Sequence, residues 1–355
     1  MLEKKTTRPA IECRNVWKIF GDRSVEALQA VKSRGLNKDQ VREEFGCVVG
    51  VADASFQAME GEIFCIMGLS GSGKSTLVRH INRLIEPTSG DILIEGQDIN
   101  SLNDRDLRKL RGDKIGMVFQ HTALLPHRTV RENVALGLEL RHVDEFRRLD
   151  IAQKKLSLVQ LDGWENRLPA ELSGGMQQRV GLARAMAADP AILLMDEPFS
   201  ALDPLIRRQL QDQFLELSRE MQKTTIFITH DLDEAIRIGN RIAIMKDGEV
   251  VQIGTPEEII TAPANDYVAE FVKDISRLKL VSAQSIMNSI QTFQAENSLD
   301  LSLCPVAPHD ADIDELINLA IDHEHPIIVT KQGENVGIIT KRQLLRGIQG
   351  RDINE

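Results

Sequence analysis

The spacing of apolar residues predicts alternating strands and helices along most of the chain. Apolar positions in residues 10–20 and 51–67 indicate strands, and the second segment ends in the apolar run Ile63–Met67 just before a glycine-rich loop. Residues 74–84 have the spacing of a helix. A strand, a glycine turn and a helix in succession form the context that a phosphate-binding loop requires.

The later elements continue this alternation. Residues 130–188 are expected to be mostly helical, whereas the short apolar runs beyond them are typical of buried strands in a parallel sheet. The further strands are expected at 91–95, 114–119, 191–195 and 224–229, with a hairpin at 241–253 that turns at Asp247 and Gly248.

A charged insertion occupies residues 22–49. Its sequence suits one or two short amphipathic helices with a break at Gly35 and Asn37, and a plain surface excursion is the alternative. The apolar face of these helices would comprise Val25, Leu28, Val31, Val41 and Phe45.

From about residue 276 the pattern changes to a β-α-β-β-α string. Strands are expected at 326–330 and 336–340, around Gly333, and a last helix near Leu344. One helix face would be poorly covered by so small a unit. That face comprises Ile313, Leu316, Ile317, Ala320 and Ile321.

Length and composition limit the class of protein. The chain has 355 residues, 42% hydrophobic and 27% charged, which suits a large α/β body with a smaller unit attached. Its formal net charge of -10 argues against a nucleic-acid partner, because phosphate backbones attract basic surfaces. The four cysteines are widely spaced and are expected to be reduced thiols of the cytoplasm. No apolar run is long enough to span a membrane.

The glycine-rich loop has the chemistry needed to bind a triphosphate. Backbone N–H groups at the start of a helix can donate to phosphate oxygens, Lys74 adds a positive charge, and Ser75 offers a hydroxyl to Mg²⁺. The residues expected to bind the nucleotide here are Gly68, Leu69, Ser70, Gly71, Ser72, Gly73, Lys74, Ser75 and Thr76.

Two later segments extend this pattern. Residues 172–179 begin with Leu-Ser-Gly-Gly, and the acidic pair Asp196 and Glu197 follows the apolar run 191–195. In order and spacing, the three segments resemble those of the nucleotide-binding subunits of ATP-binding cassette transporters. This resemblance covers roughly residues 10–275.

Each polar residue then has an expected role in binding and hydrolysing ATP. Asp196 would hold Mg²⁺ together with Ser75, and Glu197 would act as the base that accepts a proton from the attacking water. His230 resembles the histidine of this family that contacts the γ-phosphate. Gln120 resembles the glutamine that senses Mg²⁺ and the attacking water.

The resemblance also implies contacts with adenine and with a membrane subunit. Phe20 matches the aromatic residue that stacks on adenine, with Trp17 as the alternative. The loop after Gln120 is where relatives dock their membrane subunit. Its residues Leu124 and Leu125 would be exposed for that contact, or else would fold back into the helical subdomain.

Residues 172–179, called the signature segment below, imply a partner chain. In the family, Ser173, Gly174 and Gly175 bind the ATP held by the other subunit, so the active unit would be a head-to-tail homodimer with two shared sites. Met176 replaces the glutamine that is commonest at its position. That change should be tolerated, because the serine and glycines make the main contacts.

Three stretches narrow the resemblance to importers of glycine betaine, proline or choline: the insertion, residues 66–79 and residues 82–88. This implies ATP hydrolysis that drives import through a separate integral membrane permease, with a substrate-binding protein. The chain would lie in the cytoplasm, peripheral on the inner face of the cell membrane. The alternatives are import of another small solute and a soluble cassette ATPase that is not coupled to transport.

The resemblance implies an α/β fold in two domains. Residues 1–275 would form the cassette domain, with a RecA-like core, an antiparallel β subdomain and a helical subdomain at about 130–188. Residues 276–355 would form a regulatory domain with one clear cystathionine-β-synthase-like repeat at about 303–350, which would pair across two chains. Nucleotide-binding repeats usually carry an aspartate where this chain has Gln343. A role in dimer stability or in the response to ionic strength is therefore an equal alternative to nucleotide sensing.

Overall fold

The chain forms two compact units in the computed structural model, which describes residues 8–120, 122–273, 283–290, 293, 303–309, 311, 313–331 and 333–349. Unit 1 comprises residues 1–259 and 263–268, and unit 2 comprises residues 260–262 and 269–355. The expected domain boundary at residue 276 lies outside the described residues.

The described residues of unit 1 form ten strands in two sheets. These strands are β1 Pro9–Phe20, β2 Val48–Met59, β3 Ile63–Met67, β4 Ser89–Ile94, β5 Gln97–Asp98, β6 Ile115–Val118, β7 Ile192–Asp196, β8 Thr224–Thr229, β9 Arg241–Lys246 and β10 Glu249–Gly254. The first sheet is antiparallel with the order β2-β1-β4-β5, and the second has the order β10-β9-β3-β8-β7-β6. In the second sheet β10 is antiparallel to β9 and the other neighbours are parallel.

Helices connect and flank the strands up to residue 272. They are α1 Ser24–Arg34, α2 Lys38–Phe45, α3 Lys74–Ile81, α4 Asp104–Lys114, α5 Val130–Leu140, α6 Glu145–Leu158, α7 Gly174–Ala187, α8 Pro204–Met221, α9 Leu232–Ile238, α10 Pro256–Thr261 and α11 Asp266–Val272. The two sheets and α3 enclose one apolar core, in which the rings of Phe56 and Phe64 stack with centroids 5.0 Å apart. Strands β3, β7 and β8 are buried along their whole length, as their apolar sequences predict.

Helix α3 ends earlier than its sequence pattern predicts. Its last residue is Ile81, not residue 84, because the side chain of Asn82 accepts a hydrogen bond from the backbone N–H of Leu84. Arg83 then adopts a left-handed conformation with φ of 52°. A side-chain turn of this kind competes with the helix for the backbone.

The insertion forms α1 and α2, and the predicted break between them is confirmed. Gly35 ends α1 in the left-handed conformation, and Asn37 caps α2 by accepting from the N–H of Gln40. Val25 was wrongly assigned to the apolar face, since it is 61% exposed while Ala27 is buried. The two helices pack on the ends of β1 and β2 in a small apolar cluster, so the insertion is a packed layer and not a loose excursion.

Unit 2 confirms the β-α-β-β-α string. Its strands are β11 Asn288–Ser289, β12 Val306–Pro308, β13 Ile327–Lys331 and β14 Glu334–Ile339, in the order β11-β14-β13-β12, and its helices are α12 Ala283–Ile286, α13 Ile313–Asp322 and α14 Lys341–Gln349. The expectation of a poorly covered face on α13 is wrong for Ile313 and Leu316, which are buried in one cluster with Ala283 and Ile286. Ile321, at the end of that face, is 73% exposed.

Gln343 is buried and serves the start of α14. Its side-chain oxygen accepts hydrogen bonds from the backbone N–H and the hydroxyl of Thr340. The residue therefore has a local structural role at the position where nucleotide-binding repeats carry a ribose-binding aspartate.

Among the residues that the structure describes, no helix combines the length and the hydropathy needed to span a membrane.

Candidate functional site

The glycine-rich loop joins β3 to α3 at the carboxyl edge of the six-stranded sheet. Strands β3, β8 and β7 lie side by side and parallel, with Met67 opposite Thr229 and Asp196 opposite Ile228. The loop, the acidic pair and the segment after Thr229 therefore meet at one edge. In open α/β sheets this edge is where ligands bind.

Two loop positions require glycine because the backbone passes very close to other chain segments. Gly73 has a φ of 98°, and a Cβ there would lie 2.3 Å from the carbonyl oxygen of Gly50. A Cβ on Gly68 would lie 2.2 Å from the carbonyl oxygen of Met245. The loop is thus fixed between the end of the insertion and β9, with its N–H groups at the start of α3.

Lys74 places a cation inside this loop. It is 6% exposed, and its Nζ donates to the carbonyl oxygens of Gly68 at 2.8 Å and Leu69 at 3.0 Å. Burial lowers the pKa of Lys74, and the charges of Glu197 and Asp196 partly oppose that shift. A buried ammonium bonded to neutral carbonyls is poorly compensated, which favours an anion close to it.

Asp196 and Ser75 form the pair expected to hold the metal. The Ser75 hydroxyl donates to Asp196 Oδ1 at 2.7 Å, and Arg79 lies 3.7 Å from Oδ2. Asp196 is fully buried, and its Oδ2 accepts no hydrogen bond from the described residues. Burial raises the pKa of Asp196 more than Ser75 and Arg79 lower it. A buried carboxylate oxygen without a donor beside a serine hydroxyl fits the oxygen ligands that Mg²⁺ prefers.

Glu197 is brought together with the two other predicted catalytic residues. Gln120 Nε2 donates to Glu197 Oε2 at 3.5 Å, and His230 Nδ1 lies 3.3 Å from the same oxygen. The Glu197 side chain is largely buried, whereas that of His230 is 60% exposed. Side chains from two other strand ends, Gln120 after β6 and His230 after β8, thus converge on one carboxylate oxygen of Glu197.

Phe20 and Trp17 differ in their surroundings. Phe20 is 40% exposed at the end of β1, its ring lies against Gly50, and Lys18 Nζ is 5.1 Å from the ring centroid. Trp17 packs against the apolar cluster of the insertion. Phe20 is thus the ring that could accept a stacked base beside the loop.

The signature segment makes contacts of a different kind. Ser173 is exposed and caps α7 by accepting a hydrogen bond from the N–H of Met176. A Cβ on Gly175 would lie 3.1 Å from the Leu202 side chain, while one on Gly174 would meet no described atom within 4 Å. No hydrogen bond among the described residues joins the signature segment to residues 68–76.

The loop after Gln120 is held by Asn133. This buried amide accepts from the N–H of Leu125 and donates to the carbonyls of Leu125, Arg128 and Thr129. Leu124 and Leu125 are both half-buried. They are therefore neither fully exposed, as docking of a membrane subunit would suggest, nor fully covered by the helical subdomain. His121 lies outside the described residues.

Two residues of this region were missed by the sequence analysis. Arg79 reaches Asp196 from the same face of α3 as Ser75, and its spacing of four residues could have indicated that contact. Gln178 lies inside α7, and nothing in its sequence context indicated the contacts that it makes with the segment after Glu197.

Fold and site together define a P-loop ATPase of the cassette type, and comparisons with known proteins agree. The family profile described as "ABC transporter" matches residues 51–200. The glycine betaine transport ATP-binding protein OpuAA of Bacillus subtilis is 53% identical over 82% of this chain and 70% of the relative. The glycine betaine/carnitine transport ATP-binding protein GbuA of Listeria monocytogenes is 43% identical over 97% of this chain and 98% of the relative.

A third relative and a solved structure are also similar to this chain. The trimethylamine N-oxide transport system ATP-binding protein TmoW of Pelagibacter ubique is 43% identical over 97% of this chain and 98% of the relative. A solved dimeric ATP-binding cassette bound to ADP and Pi is 34% identical with a TM-score of 0.60, over 69% of this chain and 98% of that chain. The chain belongs to the ABC transporter family, as an ATP-binding subunit whose ATP hydrolysis is coupled to transport.

Proposed function

We propose that this chain drives the import of glycine betaine and related methylated amines, including choline, or of proline. Support comes from relatives named for glycine betaine transport, which are 43% and 53% identical over most of their length. The chain works as a homodimer on a separate integral membrane permease, with a substrate-binding protein, at the inner face of the cell membrane. Trimethylamine N-oxide is a second candidate substrate, favoured by the near full-length match to TmoW.

The observation that carries the ATPase assignment is the buried, donor-free Oδ2 of Asp196 beside the Ser75 hydroxyl. Ser75, Asp196 and Gln120 are the residues that would hold Mg²⁺. Bound there, Mg²⁺ supplies neutralisation of the phosphate charge that grows during hydrolysis. Lys74 and the loop N–H groups bind and orient the triphosphate, because they present positive charge at a helix N-terminus.

Glu197 acts as the proton acceptor for the attacking water. Its Oε2 lies within reach of Gln120 and His230, which hold the carboxylate in place. Gln120 orients the water, and His230 turns its exposed face toward the γ-phosphate. Phe20 stacks on adenine, since its ring is accessible next to the loop while Trp17 packs in the insertion cluster.

The second ATP contact comes from the partner chain. Ser173 and Gly174 are exposed and make no hydrogen bond to the phosphate loop of their own chain. The positive end of α7 is therefore available to the ATP of a second subunit, together with Gly175. Each dimer would hold two such shared sites.

The two domains divide these tasks. Residues 1–275 form the ATPase, and residues 276–355 form a regulatory domain with a cystathionine-β-synthase-like repeat at about 303–350. The β-α-β-β-α order of unit 2 supports that repeat. Because Gln343 caps α14 and is buried, the tail acts through dimer stability or ionic strength rather than by binding a ribose.

Uptake in cells tests the transport assignment. A strain that lacks this gene should lose uptake of radiolabelled glycine betaine, and the wild-type chain should restore it while Glu197→Gln does not. Choline, proline and trimethylamine N-oxide, offered in parallel, identify the substrate. Affinity purification of the chain should also recover an integral membrane permease. Unchanged uptake of all four compounds would contradict the proposed substrate class.

A further inference from the structure

Glu197 has a strained backbone. Its φ is 50°, in the left-handed region that residues with a Cβ rarely adopt. Its N–H donates to the carbonyl of Ile228 at 3.1 Å, which ties one side of the residue to β8. Strain at a functional residue persists only where the surrounding contacts hold it.

The carbonyl of Glu197 is held from the other side by two residues. Ser200 donates to it from its hydroxyl at 3.0 Å and from its backbone N–H at 3.3 Å. Gln178 Nε2 donates to the same oxygen at 3.1 Å from inside α7. Three donors therefore fix the peptide that follows the proposed base.

Gln178 also holds the next part of the chain. Its Oε1 accepts from the N–H of Ala201 at 3.0 Å, and its Nε2 lies 3.4 Å from the Ser200 hydroxyl. The side chain is 2% exposed, so water does not replace these partners easily. Both ends of one buried amide thus bind the turn between Glu197 and Ala201.

We propose that Gln178 is a positioning residue for hydrolysis: its amide keeps Glu197 in the left-handed conformation and ties that conformation to α7, the helix that Ser173 caps. Ser173 is the N-cap of α7, and Gln178 lies inside that helix. Movement of α7 when a partner's ATP binds at its N-terminus is thereby transmitted to the proposed base. The inference rests on the proposed role of Glu197 and goes beyond it, because it links the base of one site to the signature segment of the other.

Three variants separate this role from simple packing. Gln178→Met keeps the volume and removes both ends of the amide. Gln178→Glu keeps an acceptor for Ala201, and its ionised carboxylate has no donor for the Glu197 carbonyl. Gln153→Met is the matched control, since it removes a glutamine side-chain hydrogen bond, to Glu165, in the helical subdomain.

We expect both Gln178 variants to lower kcat about tenfold, with KM and the dissociation constant for MgATP within about twofold of wild type. Gln153→Met should leave kcat unchanged. A Ser200→Ala variant combined with Gln178→Met should show a loss smaller than the product of the single losses, because both residues hold one oxygen.

The outcomes separate the role of Gln178 from that of Glu197. If Glu197→Gln abolishes turnover but Gln178→Met keeps wild-type kcat, the positioning role is wrong and the base assignment stands. A Gln178→Glu variant with full activity, or losses in kcat matched by equal losses in ATP affinity, would also overturn it. Retained turnover in Glu197→Gln would remove the proposed base and the positioning role together.

Discussion

The phosphate loop and the signature segment differ in how completely one chain builds them. Around the loop, Lys74, Ser75 and Asp196 are already in contact with their neighbours, and Gln120 and His230 both reach Glu197. The segment at the start of α7 instead leaves Ser173 and Gly174 exposed. One part of the site is preassembled within the fold, and the other is presented outward.

This difference indicates what each part contributes. A preassembled pocket binds and orients a charged ligand without reorganisation, which is the main way a protein lowers the barrier to phosphoryl transfer. An exposed helix N-terminus adds its positive dipole when a ligand arrives. Nucleotide binding should therefore be a property of one chain, whereas hydrolysis should require two.

The largest effect is expected from the preassembled part. Glu197→Gln keeps the shape of the side chain and removes the proton acceptor, so steady-state ATPase should fall by about 10² to 10⁴-fold. MgATP binding should persist, because Lys74 and the loop are unchanged. Turnover and equilibrium binding measured on the same preparation check this. Activity above about a tenth of wild type would show that another group takes the proton.

A smaller effect is expected at the edge of the pocket. Phe20→Ala should weaken ATP binding about tenfold, since stacking of a base on an aromatic ring contributes about 1 to 3 kcal/mol. Trp17→Ala, the matched control, should affect the stability of the insertion cluster more than ATP affinity. Titration with ATP and with inorganic triphosphate distinguishes base contacts from phosphate contacts. Equal losses for both ligands would argue against stacking.

The smallest effect concerns the stability of the fold around Glu234, which lies in α9 just after β8. Burial raises the pKa of Glu234 more than hydrogen bonds from Thr229 and Gln211 lower it, while Asp231 raises it further and Arg207 lowers it. An acid with a raised native pKa stabilises the fold below its unfolded pKa, and this contribution is lost as pH rises through the native value. The Tm of Glu234→Gln minus that of wild type should therefore rise as pH increases above the ordinary glutamate pKa of about 4.3. A difference in Tm, variant minus wild type, that falls as pH rises would contradict this sign.

Sequence patterns predicted the elements of the fold well, because strand and helix periods are local. The break at Gly35 and Asn37, the early glycine loop and the short buried strands all depend on neighbouring residues. The end of α3 was missed, since a side-chain turn at Asn82 overrides the apolar period. The burial of Leu316 was also missed, because its apolar cluster is assembled from elements spread between Ala283 and Leu344, which no local pattern encodes.

Candidate site residues were predictable where a motif fixes their order. The convergence of Gln120, Glu197 and His230 followed from their places after strands. Gln178 was not predictable, because its role depends on how α7 packs against residues 197–201 and no local pattern encodes that packing. The catalytic roles of Gln120, Glu197 and His230 remain predictions. So does the hypothesis that Ser173–Gly175 bind the ATP held by a partner subunit.

Mixed dimers test the central claim most directly. Lys74→Ala damages the preassembled part and Ser173→Arg damages the outward part, so each variant by itself should hydrolyse little ATP. In a mixed dimer, the intact loop of one chain meets the intact signature segment of the other at one site, while the second site carries both changes. ATPase of the mixture above that of either variant, with mixing verified by differently tagged chains, is the expected result. No recovery in verified mixed dimers would contradict a site shared between two chains.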